Sequence, residues 1–296
     1  MASERVLSGS PSMLPLFARA GAAMIPGSSR LPFIGSGGEG EALPGLTLVL
    51  DEVTVDRQRL ADYDRVCKFP LRDRLAATYP HMLAFPLHLS LMTEPSFPFP
   101  ALGLVHIANR IVQHRPLLTS EQFQVKVWAA DLRPHPRGTQ FDLRSEVRAG
   151  EQLVWEETST ILRRGEGSGH PGKRETPTQP DALPVTATWR LPGDLGRRYA
   201  SVSGDRNPIH MHPLSARLFG FPTAIAHGMW TLARCLAALD PRLPDSFTVE
   251  VEFKKPILLP ATVDFSESEE SGGIRFAVRG AGKGTPHLDG RVTFAP

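Results

Sequence analysis

The elements predicted from the sequence follow the same order on the two sides of a polar segment, and this duplication limits the folds open to the chain. Each half contains a strand, a connecting turn, one long apolar helix and several antiparallel strands. The polar segment, residues 164–184, is rich in Gly, Pro and charged side chains, which is typical of a flexible linker. An apolar helix that is followed by a meander of strands can bury its apolar surface when the sheet wraps around it. The sequence therefore predicts an α+β protein built from two packed copies of one unit.

The duplication divides the chain of 296 residues into parts of ordinary domain size. We predict an N-terminal arm over residues 1–45, a first copy over 46–163, a linker over 164–184 and a second copy over 185–296. The arm is expected to be irregular or to form a short helix that packs on the main body. A transit peptide is the alternative, but Glu4 comes early, and Pro11 and Pro15 interrupt an amphipathic helix.

The two copies can be matched through their long helices and the strands that follow. The long apolar helix of the second copy is predicted over residues 226–238. The most helical part of the first copy is 86–94, with a proline in its first turn. The predicted equivalent positions are His88-Leu89 with His227-Gly228, and His114-Arg115-Pro116 with Lys254-Lys255-Pro256. The copies then form a pseudo-dimer inside one chain, which either acts as a monomer or forms a homodimer.

Composition excludes several classes of protein. Apolar residues make up 41% of the chain and charged residues 22%, as in ordinary soluble proteins. The net charge of +2 gives no electrostatic case for a nucleic-acid partner. No apolar run approaches the roughly 20 residues that span a bilayer, so no membrane association is expected. Because Cys67 and Cys235 are the only cysteines, a disulfide framework is excluded and a reducing, cytoplasmic compartment is expected.

A short polar loop in the second copy is the strongest candidate for chemistry. Asp205, Asn207 and His210 lie within six residues, and Gly204 and Pro208 restrict the backbone of this segment. An imidazole beside a carboxylate is the pair that general acid–base catalysis needs. We therefore predict Asp205 and His210 as catalytic residues. The alternative is an ordinary loop, because Gly-Asp and Asn-Pro are common in turns and helix caps.

A second candidate feature, His227-Gly228, begins the long apolar helix. The first-turn amides of a helix have no intrahelical partner and form the positive end of its dipole. A glycine there lets a substrate oxygen approach the backbone, which suits an oxyanion site. The alternative is that Gly228 only permits close packing of the helix on the sheet. Together with the upstream Asp/His pair, the feature predicts acid–base chemistry beside an activated carbonyl.

These motifs resemble the signature of a known family. The segment from Tyr199 to His210 is similar to that of the (R)-specific enoyl-CoA hydratases, also called hydratase 2 or MaoC-like dehydratases, on the hotdog fold. Residues 226–229 and 253–256 extend the resemblance. The duplication resembles the double-hotdog members, in which one copy keeps the catalytic loop and the other loses it. The resemblance implies a double hotdog, with two long central helices wrapped by an antiparallel sheet.

The resemblance also implies an activity in fatty acid metabolism. This is the reversible hydration of a trans-2-enoyl thioester to the (R)-3-hydroxyacyl thioester, on CoA or acyl-carrier protein, by a hydro-lyase. Asp205 and His210 would activate the water that adds to C3, Asn207 would orient one of them, and the Gly228 amide would hold the thioester oxygen. No metal or redox cofactor is implied. A non-catalytic acyl-thioester-binding or scaffold protein and an acyl thioesterase remain alternatives.

The first copy lacks the Asp-x-Asn-Pro-x-His pattern and is expected to be catalytically silent, with Leu89 in place of the helix glycine. In double-hotdog relatives such a copy widens the acyl tunnel. The resemblance thus implies that apolar side chains of this copy face the acyl chain, namely Met82, Phe85, Met92 and Phe97. Plain core packing is the alternative for each. The predicted substrate-binding residues are His227, Lys254, Lys255, Phe85 and Met92.

Two further groups of polar residues are open to more than one interpretation. His114, Arg115, Lys254 and Lys255 are predicted to approach the phosphates of a CoA or carrier-protein arm, with simple solvation as the alternative. His212 falls where the family commonly has an acid. A zinc site with Asp205 and His227 can be imagined, but His-x-His in a loop is weak evidence, so His212 is expected to face solvent.

Overall fold

The structure, a computed structural model, describes residues 3–22, 42–165 and 183–295. Residues 166–182, which make up most of the predicted linker 164–184, lie outside the described residues, as do residues 1–2 and 23–41 of the arm. The helices are α1 (Met13–Ala22), α2 (Arg57–Cys67), α3 (Tyr79–Met92), α4 (Leu195–Ser203), α5 (Pro208–Met211), α6 (Pro213–Leu218) and α7 (Gly228–Leu239). The strands of the first part are β1 (Ser3–Leu7), β2 (Leu46–Val53), β3 (Leu104–Gln113), β4 (Phe123–His135), β5 (Gly138–Ala149) and β6 (Gln152–Arg164). Those of the second are β7 (Val185–Leu191), β8 (Phe247–Phe253), β9 (Ala261–Glu270), β10 (Gly273–Gly280) and β11 (Pro286–Phe294).

Within the described ranges the strands join in one sheet with the order β1-β2-β4-β5-β6-β3-β8-β11-β10-β9-β7. Apart from β1, the two halves of this order mirror each other. The strand that opens each copy lies at the outer side, and the strand that follows each long helix lies at the centre. There β3 and β8 pair antiparallel, with Ile111 opposite Val249. The two copies therefore share one continuous sheet.

Side-chain patterns explain why the sheet wraps the helices. Along β8 the residues Phe247, Val249 and Val251 are buried, while the alternating residues face outward. The long helices are apolar on most faces, and Leu87 of α3 and Leu232 of α7 are completely buried. A helix of this kind has little stability alone in water and gains it from packing. The arrangement confirms the predicted α+β class and the double hotdog.

The first long helix begins earlier than predicted. The prediction placed its most helical part over 86–94, because proline is tolerated in a first turn. In the structure Pro80 occupies the first turn, and Pro86 lies inside the helix. An interior proline removes one hydrogen bond and costs stability. Most residues of α3 are buried, and this packing outweighs the local cost.

The earlier start changes the match between the copies. His88-Leu89 lies in the third turn of α3, so its predicted equivalence to His227-Gly228 is wrong. The first-copy equivalent at the helix start is Thr78-Tyr79. The chain between the long helix and the next strand is longer in the first copy, 93–103, than in the second, 240–246. Because of this difference in length, the predicted match between the two long helices was shifted along α3.

The described part of the arm packs on the first copy. Strand β1 extends the sheet by pairing in parallel with β2. Helix α1 buries Leu16 and Ala20 against Leu89 and Ala101. None of the helices in the described ranges has the length and apolar character to span a bilayer.

Candidate active site

The loop after α4 has a conformation set by one glycine and by local hydrogen bonds. Gly204 ends α4 with φ of 82°, a left-handed conformation that glycine adopts at no steric cost. The amide of Asn207 donates to the Asp205 carboxylate at 3.1 Å. The amide of Ile209 donates to Asn207 Oδ1 at 3.4 Å, which caps the N-terminus of α5. These bonds make the loop tight and direct its carboxylate inward.

Three side chains converge at this loop. Ligand atoms of Asp205, His210 and His227 all lie within 4.8 Å of one another. His210 Nδ1 lies 2.8 Å from the carbonyl oxygen of Ile225. Because a carbonyl only accepts, Nδ1 holds the proton and Nε2 keeps its lone pair. Burial lowers the pKa of His210, although the Asp205 charge opposes this shift, so the ring is neutral near pH 7.

His227 supports this pair from the N-cap of α7. Its ring stacks on His210 with centroids 3.6 Å apart. Its Nε2 lies 3.0 Å from the Asp205 carbonyl oxygen and 3.7 Å from the carboxylate. Burial, and then the neighbouring His210, lower the pKa of His227 well below its ordinary value. The neutral ring thus contacts both members of the pair and helps to hold them together.

Asn207 makes one contact in the loop with its side chain and another with its main-chain amide. The sequence predicted that Asn207 would orient Asp205 or His210. Its side-chain oxygen caps the start of α5, the helix that contains His210, and its amide donates to the Asp205 carboxylate. Asn207 therefore contacts one partner with its main chain and positions the other indirectly.

The position of Gly228 is compatible with both interpretations that the sequence allowed, close packing and an oxyanion site. A Cβ atom on this residue would lie 3.1 Å from Cε1 and Cζ of Phe253, so the absence of a side chain does permit close packing. Gly228 is also the first residue of α7 and lines the cavity beside His227. Amides of a first helical turn have no intrahelical acceptor. The same glycine can thus pack against Phe253 and present its amide to a substrate oxygen.

One cavity of about 220 Å³ connects these residues with the first copy. The predicted site residues that line it are Asp205, Asn207, His210, His227, Gly228, Lys254, Lys255, Phe85 and Met92. Met82 lines it as well. Phe17 of α1 is a further wall residue that sequence reasoning missed, since nothing local in the arm points to a cavity. The apolar part of the wall comes from α3, from β3, β5 and β6 of the first copy and from the second copy, and Phe17 is the contribution of α1.

Phe97 does not line this cavity, so the prediction that it faces the acyl chain is wrong. It is 1% exposed and packs edge-on against Phe141, with ring centroids 5.3 Å apart. Phe97 belongs to the connection between α3 and β3 and fills the core of the first copy. The alternative interpretation, core packing, applies here.

The four predicted phosphate-binding residues do not come together. Because β3 and β8 are antiparallel, Gln113 at the end of β3 lies opposite Phe247 at the beginning of β8. His114 is therefore level with the residue before Phe247, and at about 3.4 Å per residue it lies about 27 Å from Lys254 along the sheet. His114 pairs with Glu156 and Arg115 with Glu121.

Other basic residues accompany the two lysines instead. Lys254 and Lys255 line the cavity together with Arg137 and Arg164. Lys254 also pairs with Glu252 and lies 3.8 Å from Asp289. Arg137 comes just after β4, and Arg164 is the last residue of β6. Only the folded sheet brings these two arginines near the lysines.

The residues present do not favour a metal. His212 is exposed and its Nδ1 accepts from the Leu214 amide, which caps α6. It lies outside the group formed by Asp205, His210 and His227, which is the set of donors found in the described part of the chain. The two rings stack nearly parallel, at 24°, so their in-plane lone pairs cannot converge on one ion.

The first copy also holds the loop from outside. Arg59 of α2 donates from Nε to the carbonyl of Val202 at 2.9 Å, just before the loop. The ring of Tyr199 lies 4.8 Å from that of His227, and its hydroxyl lies 3.5 Å from Met82 Sδ. The contacts of Arg59 with Val202 and of Tyr199 with Met82 join residues more than a hundred positions apart, and no local signal reveals them.

Comparison with known proteins agrees with this geometry. A sequence profile of the MaoC like domain matches residues 173–286. The 3-hydroxyacyl-thioester dehydratase X of Mycobacterium tuberculosis is 40% identical over 254 residues, which cover 85% of this chain and 90% of that protein. The chain belongs to the MaoC-like dehydratase family.

A solved structure and a plant enzyme are also similar to this chain. The crystal structure of HtdX from Mycobacterium tuberculosis superposes with a TM-score of 0.76 at 38% identity, covering 84% of this chain and all of that one (100%). The peroxisomal enoyl-CoA hydratase 2 of Arabidopsis thaliana is 28% identical over 159 residues, 49% of this chain and 52% of that protein. The similarity to HtdX spans both copies.

Proposed function

We propose that the protein catalyses the reversible hydration of a trans-2-enoyl thioester to an (R)-3-hydroxyacyl thioester. The observation that carries the proposal is the convergence of the Asp205 carboxylate and the free Nε2 of His210 beside Gly228 on one cavity wall. A hydratase needs a base for water, an acid for carbon and a donor for the thioester oxygen. Relatives named as a dehydratase and as an enoyl-CoA hydratase support both directions.

In the proposed hydration, water lies between Asp205 and His210. The neutral Nε2 of His210 takes one proton from the water while the Asp205 carboxylate accepts a hydrogen bond from its other hydrogen. The oxygen adds to C3, and the electron pair of the double bond moves to the thioester oxygen, where the Gly228 amide stabilises the developing negative charge. The His210 imidazolium then returns its proton to C2. Dehydration follows the same steps in reverse.

The first copy is proposed to hold the acyl chain and to take no part in the chemistry. At the position of His227-Gly228 it has Thr78-Tyr79, which is unsuited to close approach of a carbonyl. Met82, Phe85 and Met92 offer apolar wall to the chain. These side chains support a substrate longer than the reacting centre.

The carrier of the acyl group is proposed to bind at the basic rim. Lys254, Lys255, Arg137 and Arg164 border the same cavity, and phosphates are common to CoA and to the arm of a carrier protein. We also propose a cytoplasmic location, which is supported by the free, buried state of both cysteines.

The decisive experiment follows the ultraviolet absorbance of the conjugated enoyl thioester with purified protein. We expect it to disappear on hydration, to approach equilibrium from either side, and to yield the (R)-3-hydroxy product on chiral analysis. Release of free thiol without loss of the double bond would indicate a thioesterase. Tight binding of acyl-CoA without turnover at any chain length would indicate a binding protein.

A further inference from the structure

The first-copy side of the cavity contains buried polar groups that an aliphatic chain does not need. We call His81, His88, His106 and Glu157 the histidine cluster. The three histidines line the cavity, and Glu157 lies behind His81 at 2% exposure. Burying polar groups is costly unless they are hydrogen-bonded. An acyl tunnel for a plain chain would be more stable with apolar residues at these positions.

Part of the cluster is satisfied within the protein. His81 Nδ1 lies 2.8 Å from both oxygens of Glu157, and Asn109 Nδ2 donates to one of them at 2.7 Å. Burial alone raises the pKa of Glu157, but the charge and hydrogen bonds of its partners lower it to about 2. His88 Nε2 lies 2.8 Å from Ser145 Oγ. Glu157 is therefore an ionised anchor that fixes His81.

His106 is different, because one of its nitrogens has no partner. Its Nε2 is buried and makes no hydrogen bond to any described residue. Burial, with a further effect from His81, lowers the pKa of His106 to about 4, so the ring is neutral. A buried polar atom without a partner is costly and rare, and it calls for an explanation such as a ligand. Since the ring lines the cavity, an occupant of the cavity can supply that partner.

Ring contacts place the cluster beyond the reacting carbons. Phe253 packs against Gly228, and its ring centroid lies 5.0 Å from that of His106. The His81 centroid lies 6.4 Å from that of His106 and 5.4 Å from that of His88. His81 also lies beside Phe85, with ring centroids 6.2 Å apart, and Phe85 belongs to the wall proposed for the acyl chain. With the thioester oxygen at Gly228, His106 therefore lies between the reacting end and this wall, and the group that meets it belongs to the acyl chain beyond C3.

We propose that the histidine cluster binds a hydroxyl group of the acyl chain, so that the substrate is an enoyl thioester hydroxylated beyond C3. A hydroxyl both donates and accepts, which suits the neutral imidazoles of His88 and His106. A carboxylate would be placed near the ionised Glu157, where low-dielectric repulsion is severe. The inference rests on the proposed function, because it assumes the thioester at Gly228.

Turnover measurements test the preference directly. The substrates are trans-2-decenoyl-CoA and a set of its derivatives, isomers of one another, that each have a single hydroxyl group at one carbon from C5 to C10. We expect at least one isomer to exceed the plain chain in kcat/KM by about tenfold, the size usual for pairing a buried polar group. Equal or better turnover of the plain chain than of every isomer would overturn the inference.

Variants locate the preference. His106→Phe keeps a ring but no nitrogen and is expected to abolish the preference, whereas His106→Gln, which keeps a hydrogen-bonding group, retains part of it. His114→Gln is the matched control, since His114 is an exposed histidine that pairs with Glu156 and lies outside the cavity. A preference that persists in His106→Phe would contradict the assignment, with thermal unfolding verifying that each variant is folded.

A binding measurement separates this inference from the proposed reaction. Calorimetry with the Asp205→Asn protein compares the dissociation constant of decanoyl-CoA with those of its hydroxylated derivatives, each with one hydroxyl group at a different carbon. Tighter binding of one isomer, lost in the double variant with His106→Phe, supports the cluster even if no thioester is hydrated. Indistinguishable dissociation constants for all chains would overturn the inference even if hydration occurs.

Discussion

The segments after α2 in the first copy and after α4 in the second begin with the same backbone turn and lead to different chemistry. Lys68 and Gly204 both end their helices in the left-handed conformation, with φ of 71° and 82°. After Lys68 the chain reaches Thr78 and enters α3, whereas after Gly204 it forms α5 and α6 before α7. The left-handed turn is present in both copies, so it is a feature of the fold and not of the proposed chemistry. The additional chain in the second copy brings Asp205 and His210 into the cavity.

The buried histidines of the two copies differ in the same manner. His210 and His227 stack on each other beside Asp205, where a proton can be exchanged with a small molecule. His81 is held by a buried glutamate, and His106 presents a nitrogen that has no partner among the described residues. The difference teaches that a copy without the catalytic loop can still have a polar role. We interpret one copy as the reacting end of the cavity and the other as the end that holds the chain.

The largest expected effect comes from neutralising the second-copy loop while leaving the first-copy turn intact. Asp205→Asn and His210→Ala should each lower kcat/KM by about a hundredfold to ten-thousandfold, the range of general acid–base contributions. The matched control is Asp73→Asn, an exposed acid in the first-copy segment after Lys68. Its activity should equal that of the wild type. Circular dichroism would verify the fold, and unchanged rates in both loop variants would refute the assigned roles.

The next expected effect is on stability and concerns the buried histidines of the first copy. Burial is the main cause that lowers the pKa of His88 to about 3 and of His106 to about 4, against an ordinary value of 6.5. Between these values the unfolded chain binds more protons than the folded chain. The free energy of unfolding should therefore be insensitive to these groups above pH 6.5 and fall by several kcal/mol towards pH 4.

Urea unfolding at a series of pH values measures this slope. Glu157 acts in the same direction at lower pH, because its pKa is lowered to about 2 in the folded protein. His106→Phe should reduce the slope between pH 6.5 and 4.5 by about one proton. A slope that is the same in the wild type and in His106→Phe would contradict the burial argument.

Much of the architecture could be predicted from local patterns, and the failures have physical causes. Alternation along β8 predicted a strand with one buried face, and the structure agrees. The start of α3 was missed because Pro86 lowers local helix propensity, while the packing that compensates is tertiary. The candidate pair Asp205 and His210 is five residues apart, so local spacing was enough to suggest it. Arg59, which is 143 residues from Val202, gave no such signal.

Gly228→Ala should have a smaller effect and separates the two interpretations of this glycine. The added methyl would meet the Phe253 ring at 3.1 Å, so the ring must move within the cavity. We expect kcat/KM to fall about tenfold, as misplacement of groups near a reacting centre commonly does. The double variant with Phe253→Leu makes room for the methyl. Full recovery in steady-state assays would favour a packing role, and a persistent loss of kcat would favour the amide role.

The smallest expected effect concerns the cap of α5. Asn207 Oδ1 accepts the Ile209 amide, whereas the first-copy helix α3 begins at Thr78 without a side-chain cap. A cap is thus not needed to start a helix in this fold, and at α5 it serves to position His210. Asn207→Ala should lower kcat about fivefold, equivalent to about 1 kcal/mol, with KM nearly unchanged. Asn207→Ser, which restores a capping oxygen, should recover most of the loss.

The control is His212→Ala, which removes the cap of α6 instead of the cap of α5. A comparable fall in kcat in this variant would show that local stability, rather than the placement of His210, sets the rate.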